Sequence, residues 1–310
     1  MSTEPAVEVR VVEELTHRTA AAAAQRIREQ LALAPPNLWL NLESVKVVDV
    51  VGIAAITQAV LRARAAGTAC AIFPSPVVYR GLFAAGLLDR FRTDSRRADQ
   101  RPEPERVVEV HDDGAMPFLA RTPRLGLRPP TWDELALLNG WAQDPKLDEM
   151  VGSELLGMCR HLGPYHPDFV AEALGSPVAL TLLVQPHALA EPVGFVRLFN
   201  VNLAQGFLFL ETAVMQHASR RSAYGIEATR LAAGFAVDAL GIERIETKAY
   251  AYNAPSINAL KRNGFRLEGT LRQARAHGGR RWDILVFAML DPEIRDELAD
   301  DGLAPMGLWG

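Results

Sequence analysis

The chain has 310 residues, of which 49% are apolar and 23% are charged, and its formal net charge is -4. This length and composition are typical of a globular protein with two domains, each large enough to bury its own core. Neither half of the sequence is basic, which argues against a nucleic-acid-binding domain.

Cysteine usage and the N-terminal residues indicate a cytoplasmic protein. Cys70 and Cys159 are the two cysteines, too few for a disulfide framework and compatible with a reducing compartment. The first ten residues, MSTEPAVEVR, are acidic and lack an apolar signal core. Because no stretch reaches the roughly 18 apolar residues of a membrane span, we expect no membrane association.

Residues 1–95 predict a small α/β domain. Residues 6–14 partly alternate between apolar and polar side chains, as in a strand, and the Ala-rich residues 18–33 have helical spacing. The same patterns predict strands at 38–42 and 68–73 and helices at 53–66 and 77–90. The order βαβαβα is typical of a compact α/β unit.

Residues 96–121 are predicted to be a linker. The run DSRRADQRPEPE, which begins at Asp94, is polar, charged and interrupted by proline. One short strand is possible in this linker, at residues 107–110.

A second domain is predicted over residues 122–295, followed by a C-terminal tail at 296–310. Thr131 and Glu134 have the spacing of a capping box, which predicts a helix that begins at Thr131. The apolar patterns predict strands at 179–184, 193–200, 206–215, 245–252, 265–274 and 282–290, and helices at 223–240 and 255–262. Gly278 and Gly279 predict the hairpin turn between the last two strands.

The segment that leads into the long helix predicts an anion site. Its residues are Arg220, Arg221, Ser222, Ala223, Tyr224 and Gly225. Small residues at a helix N-terminus let backbone N–H groups approach an anion, and the helix dipole adds partial positive charge. The two arginines suit this site to a pyrophosphate. For the loop alone, a surface turn that caps a helix is an equal alternative.

A second segment gives this loop a family resemblance. The sequence Asn253-Ala254-Pro255-Ser256 precedes a short helix that ends in Asn263-Gly264-Phe265. Together the two segments resemble the GNAT superfamily, in the branch typified by ribosomal-protein N-terminal acetyltransferases. That family has an Arg/Gln-x-x-Gly-x-Gly/Ala loop, matched by Arg220, Ala223 and Gly225, and a strand-ending Asn with Ser three residues later. Its closing hairpin resembles the segment around Trp282-Asp283, so the resemblance covers about residues 122–292.

The resemblance implies a mixed sheet flanked by helices. It also implies that acetyl-CoA, or another acyl-CoA, is the co-substrate and that no metal is needed. The pyrophosphate would lie on the loop and the pantetheine arm between strands 206–215 and 245–252. The implied cofactor-binding residues are Val214, Met215, Arg220, Arg221, Ser222, Ala223, Tyr224, Gly225, Asn253 and Ser256. The acceptor amine would then attack the thioester directly.

Two residues are candidates for proton transfer. Glu211 is an acid in the apolar strand FLFLETAVM, which is unexpected unless it has a function, and relatives use an acid in this strand as base. The alternative is a strand-end glutamate that points to solvent. Ser256 is the candidate donor to the thiolate, because Leu260 stands where many relatives have tyrosine. The alternative for Ser256 is a bond to the local backbone.

The acceptor pocket is less specific in the sequence. Tyr250 and Tyr252 lie on the strand that leads to Asn253, and Tyr165 and His166 lie in a loop where relatives build acceptor sites. A protein N-terminus, a lysine side chain and a small amine are all compatible acceptors. The histidines lack the spacing of metal ligands.

Ala223 departs from the family pattern, in which this loop position is usually glycine. A positive φ there would cost alanine about 1 kcal/mol. Since a residue at a helix N-terminus ordinarily has a negative φ, we expect alanine to be tolerated at this position.

Residues 1–95 resemble a STAS domain, the fold of anti-sigma-factor antagonists. The matching segments are LWLNLESVKVVDVVGIAAI and TACAIFPSPVVYRGLFAAGLLDRF. That family has an Asp-Ser-Ser-Gly turn whose second serine is phosphorylated, whereas this chain has Asp49-Val50-Val51-Gly52. Because Val51 has no hydroxyl group, a phosphoserine switch is impossible there, and we expect a docking or self-association module that contacts a protein partner.

Two hypotheses of function follow. The first is an enzyme that transfers an acyl group from acyl-CoA to a primary amine, with the STAS-like domain for docking or assembly. The second is a catalytically weak regulator that senses acyl-CoA and signals through the STAS-like domain. Glu211, Arg220, Gly225, Asn253 and Ser256 favour the enzyme, and Ala223 leaves room for the regulator.

Overall fold

The N-terminal part of the computed structural model is a parallel sheet with helices packed on it. The structure describes residues 6–91, 101–112, 114, 118–215 and 223–300. The strands are β1 (Ala6–Val11), β2 (Glu14–Leu15), β3 (Asn37–Leu42), β4 (Val47–Val48), β5 (Ala69–Pro74) and β6 (Arg106–Val110). The helices are α1 (Ala20–Leu31), α2 (Val50–Ala65) and α3 (Pro76–Ala84). The main sheet has the order β5-β3-β1-β6, with all of its pairs parallel, and β2 pairs separately with β4.

Strand β6 lies within the range that was predicted to be a linker. It pairs in register with β1, for example Val9 with Val108, and so completes the N-terminal sheet. The sequence predicted the short strand but not its partner, because the paired residues Val9 and Val108 are 99 positions apart in the chain. The segment predicted as linker therefore contributes backbone hydrogen bonds to the first sheet.

The C-terminal part is built on a second, eight-stranded sheet. Its order is β13-β14-β12-β11-β10-β9-β8-β7. These strands are β7 (Ala120–Arg121), β8 (Leu125–Arg128), β9 (Leu180–Pro186), β10 (Gly194–Asn202), β11 (Phe207–Val214), β12 (Arg244–Tyr250), β13 (Arg266–His277) and β14 (Arg280–Leu290). The helices are α4 (Leu135–Ala142), α5 (Pro145–Met150), α6 (Glu154–Leu162), α7 (Pro167–Leu174), α8 (Tyr224–Leu240), α9 (Ala254–Arg262) and α10 (Asp291–Asp300).

Alternation along the strands separates two cores. Leu208 and Leu210 pack in the core that contains α8, whereas Ala213, Leu183 and Phe195 pack in a second core with α4 to α7. Side chains that alternate along a strand point to opposite faces, so helices cover both faces of the sheet. The parallel pairing of β11 with β12 is limited to residues 207–209 and 244–246, and the cavity described below is lined by the residues that follow in both strands.

Three local predictions differ from the structure. The helix predicted to start at Thr131 begins at Leu135, although Glu134 does accept a 2.8 Å hydrogen bond from the Thr131 backbone N–H. The helix predicted at 77–90 ends at Ala84, because the chain turns at Gly86 with φ of 71°. Residues 296–300 of the predicted tail belong to α10, in which Leu298 is buried.

The two sheets share one contiguous hydrophobic core. Buried side chains of α2, such as Ile53 and Ala59, belong to the same cluster as Leu231 and Phe235 of α8. Hydrogen bonds between described residues also join the parts: Val50 N–H donates to Ser176 O at 3.0 Å, and Gln58 Nε2 donates to Ala239 O at 3.1 Å. The N-terminal domain is therefore packed against the second domain through its second helix. Among the described helices, none combines the length and apolar content needed to cross a membrane.

Candidate active site

A cavity of about 920 Å³ lies where β11 and β12 diverge. Its lining includes the N-terminus of α8 and part of α9, with Gly225, Thr229 and Ser256. It also includes Phe199 and Phe209 of the sheet, Lys248, and the residues Lys146, Leu147, Glu149, Met150, Val151, Gly152 and Glu154. Glu211 lies among the lining residues of β11. The cavity is thus large enough for two molecules to meet at the gap between the strands.

Glu211 is the buried acid of this cavity. Its Oε1 atom is shielded from solvent and has no hydrogen-bond partner among the described residues. Burial raises the pKa of this carboxyl above its ordinary value, and the negative charge of Glu154 acts in the same direction. The Ser153 hydroxyl and the positive charge of Arg197 oppose the rise in pKa without cancelling it. A buried carboxylate of raised basicity, with an oxygen free to accept a proton, has the properties of a general base.

Arg197 is the cross-strand neighbour of Glu211 and was not predicted from the sequence. It pairs with Glu211 in the β10–β11 register, and only 6% of its surface is exposed. Its Nη2 atom lies 2.5 Å from Oε2 of Glu172, which faces it from α7. Because Glu172 pairs with this guanidinium, the charge that Arg197 presents to Glu211 is partly compensated, which is consistent with the raised pKa of Glu211.

The predicted anion site is described only from Ala223 onward, and Arg220, Arg221 and Ser222 lie outside the described residues. Ala223 is the N-cap of α8 and has φ of 61° and ψ of 14°. The expected negative φ is therefore wrong, because the residue that caps this helix is left-handed. Gly225 lines the cavity, and a Cβ atom there would lie 3.1 Å from Cγ2 of Val214, so the absence of a side chain leaves that part of the cavity open.

Replacing Ala223 with glycine should raise the free energy of unfolding by up to about 1 kcal/mol. Relief of left-handed strain, about 1–2 kcal/mol, exceeds the backbone entropy that glycine loses, about 0.5–1 kcal/mol. Urea denaturation measures the change. The matched control is Ala65→Gly at an exposed helical position of α2, which should lower stability by about 1 kcal/mol. Equal losses in both variants would show that residue 223 is not left-handed.

Asn253 and Ser256 both line the cavity. The Asn253 side chain caps α9 by accepting a 3.2 Å hydrogen bond from Ser256 N–H, and its Nδ2 donates to Met150 O at 2.8 Å. Asn253 is buried and thus ties the N-terminus of α9 to the last residue of α5. A contact of Asn253 with the pantetheine arm and proton donation by Ser256 stay predictions.

The other predicted residues divide between the cavity and its surroundings. Val214 and Tyr250 line the cavity, and the Tyr250 hydroxyl packs directly on Gly152. Met215 packs in the second core instead, and Tyr224 packs against the first. The Tyr252 hydroxyl donates to Glu149 O at 2.5 Å, so it holds the wall of the cavity from outside.

Tyr165 and His166 are not among the lining residues of the cavity. Tyr165 is exposed and stacks on Trp132 with ring centroids 5.7 Å apart. His166 caps α7, where Nδ1 accepts from Asp168 N–H at 3.3 Å. These contacts place both residues in the helical cover. Within the described part of the chain, no group of three His, Cys, Asp or Glu side chains is arranged to hold a metal ion.

Comparison with known proteins identifies both parts. Residues 124–266 match the family model of the acetyltransferase (GNAT) domain, and residues 2–100 match that of the STAS domain. The chain carries a STAS domain followed by a GNAT acetyltransferase domain. The GNAT domain makes it an acyl-CoA-dependent N-acetyltransferase with acetyl-CoA as the expected co-substrate, and the predicted family resemblances are confirmed. No curated protein matched the sequence.

Solved structures similar to the GNAT domain include three named proteins. A GCN5-related N-acetyltransferase from Brucella melitensis is 22% identical, with 60% of this chain and 85% of that chain covered and a TM-score of 0.48. The spermidine N-acetyltransferase from Vibrio cholerae, in complex with CoA and spermine, is 15% identical, with coverages of 56% and 99% and a TM-score of 0.48. Mycobacterium smegmatis RimJ, in complex with CoA-disulfide, is 22% identical, with coverages of 57% and 89% and a TM-score of 0.42.

Proposed function

We propose that this chain transfers an acetyl group from acetyl-CoA to a primary amine by direct attack in a ternary complex, with Glu211 as general base. The observation that carries this proposal is the position of Glu211. Glu211 lines the cavity where β11 leaves β12, and its Oε1 is buried and unpartnered among the described residues. An acid in such a place is costly to fold, and proton transfer gives it a function.

The chemistry needs few groups. The amine must lose a proton as its nitrogen attacks the thioester carbonyl, and the raised pKa of Glu211 makes this carboxylate a stronger base than an ordinary glutamate. Collapse of the tetrahedral intermediate expels the CoA thiolate, for which the Ser256 hydroxyl is the proposed proton donor. Cys159 offers no covalent route, because burial raises the pKa of its thiol to about 11 and keeps it neutral.

The edge of β11 beyond Phe209 is the proposed place of the pantetheine arm. Among the described residues, Leu210 to Ala213 of β11 form no ladder pairs with β12, so their backbone groups on that side can bond the amides of the arm. Gly225 and the N-terminus of α8 would receive the pyrophosphate. This arrangement brings the thioester to the level of Glu211.

Release of CoA thiol from acetyl-CoA tests the proposal directly. Amines of varied charge are supplied as acceptors, and the acetylated product is identified by mass spectrometry. Turnover with at least one amine supports the enzyme. Binding of acetyl-CoA without turnover of any amine favours the acyl-CoA sensor instead. If the protein neither binds acetyl-CoA nor acetylates an amine, both the enzyme and the sensor are contradicted.

The pH dependence of kcat/KM should show the ionisation of Glu211. Activity requires the carboxylate, so the rate should fall as pH drops through the raised pKa of Glu211, at a higher pH than an ordinary glutamate would allow. A Glu211→Gln variant should lose this limb from its residual activity. An unchanged acid limb in the variant would assign the ionisation to another group.

For the STAS domain we propose a role within the chain. Val50 and Val51 are fully buried, and the backbone of Val50 is bonded to Ser176 of the GNAT domain. The position that relatives of this fold phosphorylate is therefore covered as well as chemically inert. The GNAT domain of the same chain is the proposed docking partner of the second helix, which would support α8 from behind.

A further inference from the structure

Lys248 is a cation in the wall of the cavity. It lines the cavity, and no carboxylate of the described residues lies within ion-pair distance of it. Its Nζ atom lies 5.2 Å from the ring centroid of Phe209. Lys248 can therefore form an ion pair with an anionic group of a molecule bound in this part of the cavity.

The register of the strands places Lys248 opposite Glu211. Phe209 pairs with Glu246 in the last parallel pair of β11 and β12. Two residues further along each strand come Glu211 and Lys248, which point to the same face because side chains repeat every two residues. The carboxyl group of Glu211 and the amino group of Lys248 therefore lie on the two sides of the gap in which the thioester is proposed to lie.

An aromatic floor connects these two charges. The rings of Phe199 and Phe209 stack with centroids 5.7 Å apart, and both line the cavity beside Lys248. Both rings are only partly buried. They provide an apolar surface for the carbon skeleton of a small acceptor.

We propose that Lys248 binds the carboxylate of an amino-acid-like acceptor, whose amine lies at Glu211 and whose side chain lies on Phe199 and Phe209. The inference rests on the proposed function and specifies its acceptor class. A polyamine has no anionic group that Lys248 could bind.

The test compares an amino acid with the amine that lacks only its carboxylate. L-phenylalanine and phenethylamine are supplied with acetyl-CoA to the full chain and to Lys248→Met. We expect the wild type to favour phenylalanine and the variant to raise its KM about 10- to 100-fold, the range for loss of a charge-assisted bond. The kcat for phenylalanine and the KM for phenethylamine should change less than threefold.

Two further variants sharpen the outcome. Lys248→Glu should reverse the preference toward phenethylamine, whereas Lys46→Met, at an exposed lysine of the STAS domain that pairs with Glu13, should change nothing. Equal wild-type use of both amines, or a Lys248→Met variant with unchanged KM, overturns the inference while the acetyltransferase stands. If neither amine nor spermidine is acetylated, the proposed function fails together with the inference.

Discussion

Glu211→Gln is expected to lower kcat by about 10²- to 10⁴-fold, the usual contribution of a general base. Glutamine keeps the size of the side chain but cannot take a proton from the attacking amine. The affinity for acetyl-CoA should be unchanged, because the proposed contacts of the phosphates and of the pantetheine arm use backbone groups and not the Glu211 side chain. Steady-state thiol release at saturating substrates measures kcat, and calorimetry measures the affinity.

The matched control is Glu149→Gln, since Glu149 also lines the cavity but is exposed. Its kcat should stay within about threefold of wild type, because an exposed acid contributes little to the energetics of a site. If both variants lost activity equally, the rate would depend on the net negative charge of the cavity, and Glu211 would not be the general base.

Glu211→Gln should also stabilise the fold at neutral pH. A carboxyl whose pKa is higher in the folded than in the unfolded protein favours folding at low pH, and this contribution is lost as pH rises through the folded pKa. Glutamine removes that loss, so the Tm of Glu211→Gln should exceed that of wild type at pH 7, and the gap should shrink on acidification. A lower Tm at pH 7 would show that Glu211 stabilises the fold through its charge.

Gly52→Ala is expected to lower the free energy of unfolding by about 3 kcal/mol, the upper range for an overpacked core. A Cβ atom at Gly52 would overlap the backbone carbonyl of Leu15, which cannot move as a flexible side chain can. Asp49 holds this turn by accepting hydrogen bonds from Gly52 N–H at 2.9 Å and from His17 Nδ1 at 2.7 Å. Thermal and urea unfolding measure the loss.

The control for this substitution is Gly140→Ala, at an exposed helical glycine where a Cβ atom meets nothing within 4 Å. It should stabilise the chain by up to about 1 kcal/mol. Because the two domains share one core, Gly52→Ala should shift a single unfolding transition. Two separate transitions, of which only one shifts, would show that the domains unfold independently and would remove the proposed role of the STAS domain.

Local chemistry made Glu211 predictable from the sequence. An acid inside an apolar strand stands out because burial of an unpaired charge is expensive. The hairpin turn at Gly278 and Gly279 and the order of strands and helices were predictable for the same reason, since each depends on residues that are close in the sequence. The phosphate-binding role of the loop before α8 stays a prediction.

Features that arise from packing could not be predicted in the same way. Arg197 and Lys248 acquire their relation to Glu211 only through strand register. The left-handed conformation of Ala223 is a property of the loop that enters α8, and alanine carries no signal for it. The pairing of β6 with β1 and the contact between α2 and α8 join residues far apart in the chain, where periodicity gives no information about partners.

Titration of acetyl-CoA into the wild-type and Glu211→Gln proteins by calorimetry tests the central claim most directly, because the proposed chemistry depends on a cavity that holds the cofactor. One acetyl-CoA should bind per chain, with the same affinity in both proteins, and should raise the Tm with the logarithm of its excess over the Kd. If neither acetyl-CoA nor a longer acyl-CoA binds to the folded protein, the assignment of the cavity between β11 and β12 as the cofactor site is contradicted.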